Sequence, residues 1–65
     1  MIQLDFSDRR PLYEQIKEKF KELIFTGAMK EQDKIPSVRE LASILAINPN
    51  TIQRAYKELE EEGYI

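Results

Sequence analysis

The chain has 65 residues, ten Lys or Arg against twelve Asp or Glu for a net charge of −2, and neither cysteine nor histidine. That length holds one domain at most, and domains so small bury only about 60% of their unfolded surface. Disulfide staples and the usual His/Cys zinc site are excluded; with no long apolar run and no signal-peptide core, the expected location is the cytoplasm, away from membranes.

Ile2, Leu4 and Phe6 alternate with Gln3 and Asp5, the period of a half-buried strand or extended arm. So short a piece must lean on something, either the first helix or a second chain. Ser7 to Arg10 is polar and turn-like. Pro11 suits the first turn of a helix. Leu12, Tyr13, Ile16, Phe20, Leu23 and Ile24 then mark a wide apolar face, with Lys17, Glu18, Lys21 and Glu22 opposite and Gly27 as the terminator. Phe25 is the misfit, pointing nearly opposite Ile16. It either folds under the following loop with Met29 or touches another subunit. The second reading is preferred because Phe6 also needs cover, which makes Ile2, Leu4, Phe6, Phe25 and Met29 the candidate dimer contact.

Ala28 to Pro36 is a polar connection in which Ile35, preceding a proline, is pushed to an extended conformation, with or without a single β-bridge. Ser37-Val38-Arg39-Glu40 has the form of a capping box. Val38, Leu41, Ala42 and Leu45 fall at i, i+3, i+4 and i+7, one apolar stripe on a short helix. Asn48 is a strong N-cap and Pro49 a favoured first helical residue, so Ala46-Ile47 is all the connection that remains. Ile52, Ala55, Tyr56 and Leu59 repeat the stripe, and Gly63 can close this helix in the left-handed conformation. Two short amphipathic helices joined this tightly form a helix-turn-helix, whose second helix enters the DNA major groove. The expected fold is all-α: a three-helix bundle, helix one backing the motif and supplying most of the core, with a short extended N-terminal arm.

Charge along the last helix is split. Arg54 and Lys57 are the only charges from Asn48 to Lys57, and four of the next five residues are acidic. That split suits a helix whose N-terminal half approaches phosphates; it equally suits plain solvation, with Arg54–Glu58 and Lys57–Glu61 as i,i+4 pairs. With Ile52 facing the core, Asn50, Arg54 and Lys57 fall on the far side and Gln53 flanks them. Asn and Gln can pair with adenine, Arg with guanine, and Lys with guanine or phosphate. Asn48 and Thr51 in the first turn, and Arg39 on the preceding helix, are placed for the backbone. Each also has an ordinary structural role: a cap for Asn48, a bond to its own helix for Thr51, plain surface for Arg39. Catalysis finds no support, since the carboxylates crowd a helix end with no cleft-forming frame, and there is no Gly-rich phosphate loop or Cys/His nucleophile. No cofactor or metal is expected.

The blocks Pro11-Leu12-Tyr13-Glu14-Gln15-Ile16, Lys34-Ile35-Pro36-Ser37-Val38-Arg39-Glu40-Leu41-Ala42, Ile47-Asn48-Pro49-Asn50-Thr51-Ile52 and Ala55-Tyr56-Lys57-Glu58-Leu59-Glu60, in this order, resemble the N-terminal winged-helix domain of GntR-family bacterial transcription regulators, YtrA-like branch. The resemblance spans nearly the whole chain. It implies binding to two-fold operator DNA as a homodimer to repress nearby genes, with Arg39, Asn48, Pro49, Asn50, Thr51, Gln53 and Arg54 facing the duplex. Ser37 and Lys57 complete the candidate DNA-binding set, and no small-molecule ligand is expected in this segment. Three departures stand out. Ala46 occupies the position of the family's turn glycine, Glu31-Gln32 replaces a Pro-Gly, and residues 63–65 fall where a first wing strand would begin. Residues 1–65 therefore read as a headpiece fragment without its wing or its C-terminal dimerisation or effector region. The alternative is a small helical protein-interaction module with no nucleic-acid role.

Overall fold

The computed structural model describes residues 3–29 and 35–65. Three helices follow in order: α1 (Leu12–Phe25), α2 (Val38–Leu45) and α3 (Pro49–Glu61). No strand occurs among the described residues, and no helix among them is long and apolar enough to cross a membrane.

Local chemistry sets the helix ends. The Ser37 hydroxyl accepts from the Glu40 N–H at 3.1 Å while the Glu40 carboxylate accepts from the Ser37 N–H, the reciprocal box that starts α2. Asn48 caps α3 by accepting from the Asn50 N–H at 2.8 Å, with Pro49 in the first turn. Between them lie only Ala46, Ile47 and Asn48. That connection requires Ala46 to adopt a left-handed conformation (φ 56°, ψ 45°), the one described non-glycine residue with positive φ. Gly27, at φ 81°, occupies the same region after α1.

The core comprises Ile16 and Phe20 from α1, Leu41 and Ala42 from α2, and Ile52, Ala55 and Leu59 from α3. The expectation that helix one supplies most of it is corrected. Helix α3 contributes the largest share, and both other helices pack on it. Leu23 and Ile24 are only half-buried. Phe20 meets the Tyr56 ring edge-to-face at 5.6 Å, and the Tyr56 hydroxyl donates to the Pro36 carbonyl at 2.8 Å, tying α3 to the residue ahead of α2. Burial, aided by the Glu40 carboxylate, pushes the Tyr56 phenol up to about 12.

The N-terminal arm is not a paired strand: after residues 3–5 it turns, the Asp8 N–H donating to the Asp5 carbonyl at 3.2 Å, and it leans on helix one. Its anchor is Gln15, the one buried polar residue described. The Asp5 N–H donates to Gln15 Oε1 at 2.9 Å, and Gln15 Nε2 donates to the carbonyls of Asp5 and Arg10 at 3.0 and 3.2 Å. Leu4 and Met29 pack against the core of their own chain. Phe6 is exposed and Phe25 more so, at 91%, so Phe25 does not fold under the loop. Ile35 forms no bridge. Ile2, Glu31, Gln32 and Lys34 lie outside the described residues.

Candidate nucleic-acid interface

The residues singled out for DNA contact converge on one side of the motif. Asn48, Pro49, Asn50, Gln53, Arg54 and Lys57 are exposed, Thr51 is half-buried, and Ser37 and Arg39 are exposed at the start of α2. Asn50, Gln53, Arg54 and Lys57 stay open to solvent, because Ile52, Ala55 and Leu59 take the buried stripe. The side chains of Asn50, Gln53 and Lys57 make no hydrogen bond among the described residues, which leaves their donors and acceptors available.

The neighbours of α3 border its outward face on two sides. Pro49 and Gln53 border α2, sharing a shallow groove with Val38, Arg39, Ala42, Ser43 and Ile47. Lys57 stands exposed further along the helix. Asn50, Thr51 and Arg54 border the start of α1, where Pro11, Leu12 and Tyr13 form the opposite wall of a second groove. The sequence set Arg54 on the far side with Asn50 and Lys57; the structure keeps it exposed there and adds a contact with Tyr13. The guanidinium carbon is 3.7 Å from the ring centroid, Nη2 donates to the Tyr13 hydroxyl at 3.0 Å, and Nε donates to Glu58 at 3.2 Å.

The caps retain useful chemistry. Ser37 and Asn48 spend an acceptor oxygen on the helix N-termini. The hydroxyl proton of the one and the amide NH2 of the other remain donors, the kind of group a phosphate accepts from.

Two of the four acidic side chains at the far end of α3, Glu58 and Glu62, are paired within the protein. Lys17, expected on a solvated face, instead spans to α3: its Nζ donates to Glu58 at 2.8 Å and also to Glu62, while Lys21 donates to Glu62 at 2.9 Å. The Lys17 ammonium, with Arg54 adding at Glu58 and Lys21 at Glu62, holds both carboxyls below their usual range. Of the two i,i+4 pairs read from the sequence, Arg54–Glu58 forms, whereas Lys57 has no carboxylate partner among the described residues. The acidic end of α3 therefore serves as its attachment to α1, and the unpaired cation lies toward the open face. Sequence reasoning missed Tyr13 as a partner of Arg54; an aromatic one residue into α1 carries no local signal of its neighbour 41 positions away.

Comparison with known proteins agrees with this geometry. Residues 12–65 match the model of the family described as bacterial regulatory proteins, gntR family. The chain is 58% identical over all 65 residues to the HTH-type transcriptional repressor YtrA of Bacillus subtilis and spans 50% of that protein. It is 40% identical to the B. subtilis regulator YhcF over 92% of its own length, again 50% of the relative. The chain thus spans about half the length of these curated relatives. Among solved structures it superposes on YtrA from Sulfolobus acidocaldarius, a GntR-family transcription factor, with TM-score 0.92 and 45% identity, covering 95% of this chain and 66% of the other. A Listeria monocytogenes protein described as a transcriptional antiterminator gives TM-score 0.89 and 44% identity, covering 94% and 46%. A family match over residues 12–65, with a superposition covering nearly the whole chain, places it in the GntR family of bacterial regulatory proteins.

Proposed function

We propose that this chain is the DNA-binding headpiece of a bacterial transcription repressor acting as a homodimer on a two-fold operator. The observation that carries the reading is the open face of α3, where Asn50, Gln53, Arg54 and Lys57 stand exposed just after a tight, doubly capped turn. Seated in the major groove, Gln53 and Asn50 pair with adenine edges and Arg54 with guanine. Arg39, Ser37, Asn48 and Thr51 hold the backbone, and Lys57 supplies charge. Catalysis has no part in it. The exposed Phe25 and Phe6 favour self-association as a companion role.

The test is selection of preferred duplexes from a random pool, followed by titration of Arg39→Ala and Arg54→Ala. Each weakens operator binding by about 1–3 kcal/mol, and wild-type affinity falls steeply with salt. If both variants match wild type on the selected operator, the face is wrongly assigned. Concentration-dependent association of a protein that selects no duplex would favour the interaction module.

A further inference from the structure

We infer that Tyr13 and Glu58 determine how Arg54 engages DNA, the ring as a positioning platform and the carboxylate as a counter-charge, so that this arginine discriminates between sequences rather than attracting phosphate in general. The inference rests on the DNA-binding reading above.

Arg54 is the outward α3 side chain that the fold holds in place. Its guanidinium is stacked at 3.7 Å from the Tyr13 centroid and fixed along one edge, Nη2 to the Tyr13 hydroxyl and Nε to Glu58. Even so, the Arg54 side chain remains 59% exposed. Nη1 has no protein partner among the described residues, and Nη2 keeps a second proton, so the outer edge still offers two parallel N–H groups. That is the arrangement guanine O6 and N7 accept. A stacked arginine has already given up rotamer freedom that a loose one would lose on binding.

Glu58 is itself anchored from another helix, since its second oxygen accepts from Lys17 at 2.8 Å. It therefore stays beside Arg54 as a counter-charge that offsets part of the guanidinium's charge as felt from a distance. Diffuse attraction to phosphates depends on that charge, whereas a bidentate contact with a base edge depends on direction. The counter-charge thus acts against wrong sequences more than against the right one.

The experiment measures the full-length protein by fluorescence anisotropy at several salt concentrations, on a selected operator and on a shuffled duplex of equal length. Glu58→Gln should tighten the shuffled duplex about fivefold while changing the operator less than about twofold, steepening the salt dependence on shuffled DNA by up to about one unit. Glu62→Gln is the control, because it makes the same change in net charge and removes one of Lys17's two carboxylate partners without touching Arg54. It should shift both duplexes by one common factor. Tyr13→Leu should weaken the operator about fivefold with little effect on the shuffled duplex, and Tyr13→Phe, which keeps the ring, should recover most of that loss. Equal specificity ratios in E58Q and E62Q would overturn the inference, as would Tyr13→Phe losing as much as Tyr13→Leu. Wild-type protein that cannot tell operator from shuffled DNA would overturn the DNA-binding reading and this inference with it; intact discrimination with an unmoved E58Q ratio would overturn this inference alone.

Discussion

Replacing Ala46 with glycine should make the domain more stable. The residue sits at φ 56° and ψ 45°, where its Cβ crowds the following carbonyl at a cost of about 1–2 kcal/mol. Glycine carries no such penalty but has more freedom in the unfolded chain, which takes back about 0.5–1 kcal/mol. Nothing else opposes the change. Ala46 is exposed, so no packing is lost, and the turn's hydrogen bonds are made by backbone: the Ala46 N–H donates to Ser43 at 3.2 Å and the Ile47 N–H to Ala42 at 3.0 Å. The expected net gain is about 1 kcal/mol, which in a domain of this size raises the melting temperature by roughly 4–8 °C. Thermal unfolding followed by far-UV circular dichroism measures it. Ala28→Gly, at an exposed position with ordinary φ, is the control and should be neutral or slightly destabilising. An A46G protein with unchanged helix content that melts at or below wild type would refute the reasoning.

Gln15→Leu removes three hydrogen bonds to the arm and should cost about 1–3 kcal/mol, with faster amide exchange at Asp5 read by NMR. Tyr56→Phe takes the phenol donor from the Pro36 carbonyl and should lower stability by about 1 kcal/mol in urea titration, leaving the ring contact with Phe20 intact. Stability should also fall in acid. Glu58 and Glu62 are held below their ordinary value of 4.5, so their contribution is present above that value and is lost as pH drops through their lowered folded values. Urea midpoints measured from about pH 7 down to pH 3 should decline less for Lys17→Met than for wild type, since Lys17 is the main cause of both shifts.

The parts of this fold legible in the sequence are those decided within a few residues. The Ser37–Glu40 box and the Asn48-Pro49 start follow from side chains interacting with backbone two or three positions away, and both stand where the sequence put them. The open face of α3 follows just as directly, because Ile52, Ala55 and Leu59 leave one side to the core and the other to solvent. What escaped was decided by tertiary neighbours. Gln15 falls outside the apolar stripe of α1, yet it is buried because the incoming arm brings backbone groups to it. Lys17 was assigned to water by helical periodicity alone, whereas the carboxylates that claim it lie on α3. Arg54 was placed correctly on the outward side, but its lean toward α1 depends on Tyr13, which no local pattern connects to it.

The lysine and glutamate contacts that fasten the far end of α3 to α1 have a mechanical consequence. On the proposed DNA-binding reading, α3 is a lever whose handle is held in part by ions, so its pitch against a duplex should respond to the same solvent ions that compete for the phosphates. Adding salt should therefore both thin the attraction to DNA and slacken the grip on the handle, and Lys17→Met protein should show the second effect already present at low salt.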